Sequence, residues 1–191
     1  MVPEITEPAR EPSKQLSPSR VLLKGGLVAD TQARMLVRAD VLVEGGRIAQ
    51  VVPEGGSVPE AERVLDVRGC LVLPGFVNAH THSYATLSRH VGSGLPLEPW
   101  MVHTWANTID RTAQETKLSA LLAALEAVKT GTTALLDHLG GDVLTTSAAL
   151  EAYDEIGIRV AVAPMISDMA LPSTVGVPAE AWPAATRAGS P

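Results

Sequence analysis

The sequence predicts an α/β fold in two parts. A small β-sandwich-type module is expected over residues 20–72, and a parallel sheet of βα units over residues 73–165. Three observations carry this. Short apolar runs punctuated by Gly-Gly pairs fill the first stretch, as in hairpins. From Leu71 onward strand-like runs alternate with helix-like ones, the rhythm of a parallel sheet. The later strand-like runs are almost continuously apolar, as in strands covered on both faces.

Residues 1–19 hold Pro3, Pro8, Pro12 and Pro18 among charges and serines, and read as a disordered tail. Val21-Leu22-Leu23 is a short strand leading to Gly25-Gly26. Asp40–Glu44 and Arg47–Val52 flank Gly45-Gly46 as a hairpin, and Arg63–Arg68 alternates as a further strand. After Pro74-Gly75 an apolar strand starts at Phe76. Residues 83–110 look irregular, rich in Gly and Pro. Thr112 and Glu115 then fit a capping box. Leu118, Leu121, Leu122, Leu125 and Val128 mark an apolar helical face expected to form core, with Gly131 as its stop. Thr132–His138 is the next strand, Thr146–Ile156 a second helix closed by Gly157, and Ile158–Ala163 a third strand. Residues 166–191 read as an irregular tail.

Composition removes several function classes. The 191 residues carry 15 Lys+Arg against 21 Asp+Glu, a net charge of -6, and show no basic run with interleaved aromatics. A nucleic-acid surface is not expected. No apolar run is long enough to span a bilayer, so no membrane partner is expected. The first residues lack the apolar stretch of a signal peptide, so the expected location is cytoplasmic. The single cysteine, Cys70, excludes an internal disulfide and reads as a small core residue.

His80 and His82 stand two apart at the end of the strand beginning at Phe76. Side chains at i and i+2 of a strand share a face, so both imidazoles converge at its C-terminal end. In an α/β barrel that end carries the active site. Imidazole suits zinc, iron and similar ions. Asn78 adds a polar neighbour on the same face.

Leu73-Pro74-Gly75-Phe76-Val77-Asn78-Ala79-His80-Thr81-His82 resembles the signature of the amidohydrolase superfamily. More narrowly, it resembles the cytosine-deaminase-like branch, with its methylthioadenosine/S-adenosylhomocysteine deaminases and triazine hydrolases. Leu95–Trp100, Lys129–Thr133 and Ile156–Arg159 resemble later landmarks of the same proteins. The resemblance implies a TIM (β/α)8 barrel, of which this chain holds the first βα units. It implies a divalent metal, zinc foremost with iron or manganese as alternatives, held in part by His80 and His82. The ion would activate a water to attack a ring carbon of a small heterocyclic substrate and release ammonia or another leaving group. Members often associate, so a homo-oligomer is compatible with it.

The same resemblance implies further His and Asp ligands and a catalytic Glu on later strands. No residue of this chain takes the catalytic role, and the expectation is an N-terminal fragment, inactive alone. A catalytically inactive truncated remnant and a cyclic-amide hydrolase are the alternatives. Cyclic-amide hydrolases usually carry Asp at the position of Asn78, which argues against them. Trp100, His103 and His138 are candidate substrate contacts. Trp100 could equally anchor its loop, His103 and His90 could be plain loop histidines, and His138 could be structural. The nucleoside deaminases of the branch place an acid near Ile109 (Asp110 is the nearest) and an arginine near Pro164, so those two positions weaken an adenosine-type substrate. Asp137 reads as a cap or salt-bridge partner rather than a catalytic acid.

Overall fold

The computed structural model describes residues 19–108, 110–140, 142–166, 178 and 180. The expected tails fall almost wholly outside these residues, as does Ile109. The chain divides into two compact units between Pro74 and Gly75.

The first unit is one five-stranded sheet. β1 (Arg20–Asp30) pairs antiparallel with β2 (Met35–Glu44), which pairs antiparallel with β3 (Arg47–Pro53). β4 (Arg63–Asp66) and β5 (Leu71–Val72) both run parallel to β1. A single sheet therefore stands where a sandwich-type module was expected. β1 also continues through Gly25-Gly26 rather than stopping there. The ladder slips between Leu23 and Gly26, the mark of a bulge. Gly25 takes φ +80, and its N–H donates to Asp40 Oδ1 at 2.7 Å. Gly45 and Gly46 both have positive φ, as a two-residue hairpin turn demands. Leu22, Ala39, Val41, Leu42 and Val52 are buried. Cys70, expected in a core, is exposed, because it sits in the turn where its N–H donates to Val67 O.

The second unit is a parallel three-stranded sheet in the order β6-β7-β8, formed by β6 (Phe76–Thr81), β7 (Thr132–Leu139) and β8 (Arg159–Pro164). A 3-10 turn (Ser83–Ser88), α1 (Leu97–Thr108) and α2 (Ala113–Lys129) lie between β6 and β7, and α3 (Val143–Ile156) between β7 and β8. The helix α1 lies inside the stretch expected to be irregular. Its pattern is weakly amphipathic, and Pro99 falls in the first turn, where proline is tolerated. The capping box of Thr112 and Glu115 forms as expected. α3 starts earlier than expected because Asp142 caps it, accepting from Thr145 N at 2.9 Å. Gly157 closes it in the left-handed conformation.

Two packing expectations are overturned. Most of the leucine face of α2 is not core: Leu118, Leu122, Leu125 and Val128 are exposed, and only Leu121 packs, half-buried, against the core. α2 buries Ser119, Ala120 and Ala124, and α3 buries Ala148, Ala149, Ala152 and Tyr153. Small faces let the two helix backbones approach, and close packing selected them over the larger apolar face. β6 is likewise exposed from Phe76 to His80, because it is an outer strand with a partner on one side only. The core gathers instead around β7 and the two helices: Leu135, Leu139, Tyr153 and Ile158 with the buried alanines.

Candidate metal centre

β6 and β7 place three histidines together at their C-terminal ends. The rings of His80 and His82 meet edge to face with centroids 4.8 Å apart. The His138 ring lies 4.6 Å from His80 and 5.9 Å from His82. His80 is exposed, while His82 and His138 are half-buried.

The strand period alone does not set this arrangement. Asn78 pairs with Leu135 and Thr81 with Asp137, so β6 spends one more residue than β7 over the same step. Such a bulge re-aims side chains beside a site. Asn78 supports it by accepting from His80 N at 3.1 Å, so its side chain is turned to its own backbone.

His82 Nδ1 lies 2.9 Å from His138 O. A carbonyl only accepts, so Nδ1 carries the proton and Nε2 is left with its lone pair. That Nε2 lies 3.2 Å from His80 Nε2. With both rings neutral, the contact is a hydrogen bond from His80 Nε2–H, and a metal would take the place of that proton. Two imidazoles on one tetrahedral zinc, each at ~2.0–2.1 Å, have their nitrogens about 3.3–3.4 Å apart. The donor pair therefore fits a divalent ion. It supplies two donors: among the described residues, no set of three or more His, Cys, Asp or Glu is arranged to hold a metal ion.

A cleft of about 340 Å³ opens beside His82, bordered by Thr86, His90, Trp100 and Thr104. Trp100 is thus brought to the site. His103, on α1, is exposed and does not border the cleft. His90 takes φ +69 in the turn after Ser88 and is also exposed.

Sequence reasoning missed the polar cluster beneath the rings. Asp137 is fully buried. It accepts from Ser83 N at 2.9 Å, from Ser83 Oγ at 2.5 Å and from Tyr153 OH at 2.5 Å. Burial, with Asp137 alongside, pushes the hydroxyls of Tyr153 and Tyr84 above the usual phenol range. A carboxylate inside a buried strand was the available signal, since such a group requires donors.

Residues 71–187 match the amidohydrolase family. The chain belongs to that family. A 5-methylthioadenosine/S-adenosylhomocysteine deaminase of Thermococcus onnurineus is 40% identical over 118 residues, 61% of this chain and 27% of that protein. This amidohydrolase chain thus spans about a quarter of that relative's length. Among solved structures, a zinc-complexed atrazine chlorohydrolase from Arthrobacter aurescens aligns with TM-score 0.67 at 24% identity, over 82% of this chain and 37% of its own. An adenosine deaminase from Xanthomonas campestris with bound zinc aligns with TM-score 0.63 at 26% identity, over 73% and 32% respectively. No helix among the described residues is long and apolar enough to cross a membrane.

Proposed function

We propose that His80 and His82 are two donors of a divalent-metal centre, zinc foremost, in an enzyme that hydrolyses a carbon–nitrogen bond of an aminated heterocycle. The observation that carries this reading is the 3.2 Å approach of the two Nε2 atoms, with His82 Nδ1 tied to the His138 carbonyl. When bound, the ion would generate hydroxide from water near neutral pH. The residues of this chain then have three tasks. His80 and His82 hold the donor pair, the His138 carbonyl keeps the His82 tautomer, and Trp100 walls the cleft in which a flat ring would lie. β6, β7 and β8 serve as the first strands of a (β/α)8 barrel, and the remaining ligands and the acid–base group come from outside these residues. The deaminases among the relatives support a small heterocyclic amine as substrate.

Zinc titration followed through the histidine ring resonances tests the donor pair. Signals of His80 and His82 should shift together at pH 7, and His80→Ala or His82→Ala should abolish the response of the other ring. Zinc that leaves both rings unmoved would overturn the reading. The reaction is tested by ammonia release from methylthioadenosine and from aminotriazines, using the zinc-loaded protein as its gene expresses it. Metal binding with no release from any such amine would remove the deaminase assignment and leave the metal centre.

A further inference from the structure

Asp137 is a buried carboxylate with hydroxyl and amide donors but no cation among its described partners. Two of its three donors belong to Ser83, the residue after His82. In the reverse direction, His82 Nδ1 donates to the carbonyl of His138, the residue after Asp137. The adjacent pairs His82-Ser83 and Asp137-His138 are therefore joined twice. One link runs from ring to carbonyl, the other from amide and hydroxyl to carboxylate.

This double link stands where the backbone ladder ends. Thr81 and Asp137 are the last paired positions of β6 and β7, just beyond the bulge. His82 lies outside the strand, with φ -133 and ψ 78, so no ladder bond sets its direction. Both polar groups of the Ser83 backbone are held: the N–H by Asp137, and the C=O by Ser119 Oγ of α2 at 2.7 Å. Raised phenol values keep Tyr153 protonated as the third donor.

We propose that Asp137 is a positioning residue for His82. Its carboxylate fixes the main chain at Ser83 so that the His82 ring keeps Nδ1 on the His138 carbonyl and Nε2 beside His80. The proposal rests on the reading of His80 and His82 as metal donors. Partners that orient a ligating histidine typically change metal affinity by ~10–100-fold when removed.

The test uses the full 191-residue chain with ¹⁵N-labelled histidine, recording ring tautomers and zinc affinity by NMR. Asp137→Asn keeps the shape and loses the anion; Ser83→Ala removes one donor and keeps the backbone. Both should turn the Nδ1–H form of His82 into a mixture and weaken zinc binding, Asp137→Asn by about 10–100-fold and Ser83→Ala by less. Thr112→Ala, which removes only the α2 cap, should lower the unfolding temperature and move neither readout. A folded Asp137→Asn chain with the wild-type tautomer and zinc affinity overturns the proposal. So does a Thr112→Ala chain that shifts them equally, because the effect would then be general destabilisation. If Asp137→Asn does not fold, Ser83→Ala decides alone, an unchanged tautomer being the overturning result. Should wild type take no zinc while its tautomer still depends on Asp137, the metal reading fails and the positioning stands. Equal zinc affinity in all chains has the opposite meaning.

Discussion

The two units of this chain satisfy their polar groups at different ranges. In the first unit the turns are shaped by neighbours in sequence, while Ser19 with Glu62 and Gly25 with Asp40 reach further. Asp30 accepts from the amides of Gln32 and Ala33, and Asp66 binds Arg68 two residues away. In the second unit the decisive partners are far apart: Ser83 with Asp137, 54 residues on, and His82 with the His138 carbonyl, 56 residues on. Short-range pairs shape turns, whereas long-range pairs bring strand ends together, and the candidate chemistry sits on the long-range ones.

Tyr153→Ala should break the long-range side most severely. The ring is 1% exposed and its hydroxyl serves Asp137. Removing it leaves both a cavity and a buried carboxylate short of a donor, at a cost of about 3–5 kcal/mol, measured by denaturant unfolding. Leu118→Gln sharpens the packing half of the contrast. Leu118 is 51% exposed although it lies on the leucine face, so the same measurement should move by no more than about 0.5 kcal/mol. A loss of several kcal/mol would mean that this face is packed after all.

The smallest effect belongs to the short-range side. Hydrogen bonding by Arg68, with its charge, holds the Asp66 carboxyl down at about 2 against an ordinary 3.8. A carboxyl depressed by folding contributes stability above its ordinary value and loses it as pH falls toward about 2. Both side chains are exposed, so the stability change should be slight. Arg68→Ala should raise the Asp66 titration, followed by carboxyl NMR, toward its ordinary range, with the main-chain N–H of residue 68 keeping part of the depression.

Legibility in the sequence followed the same division. The Gly45-Gly46 turn, the Thr112–Glu115 capping box and the Gly157 stop are local codes, and each formed where the residues placed it. The convergence of His80 and His82 was legible from strand spacing, although the bulge that tunes it was not. Periodicity marks apolar faces but does not rank them: α2 leaves Leu118, Leu122 and Leu125 exposed and buries Ser119, Ala120 and Ala124. Asp137 in a buried strand signals a need for donors, but that Ser83 and Tyr153 supply them has no local signature, because the pairing exists only once three separate segments meet.

The alanine seam between α2 and α3 has an entropic consequence. Ala120, Ala124, Ala149 and Ala152 are completely buried, yet an alanine has no rotamers to lose when it is packed. These two helices therefore join without freezing side-chain motion at those positions. The ordering cost falls instead on the few residues with rotatable side chains in the seam, Tyr153 foremost, and Tyr153 is the residue that also reaches the strand ends.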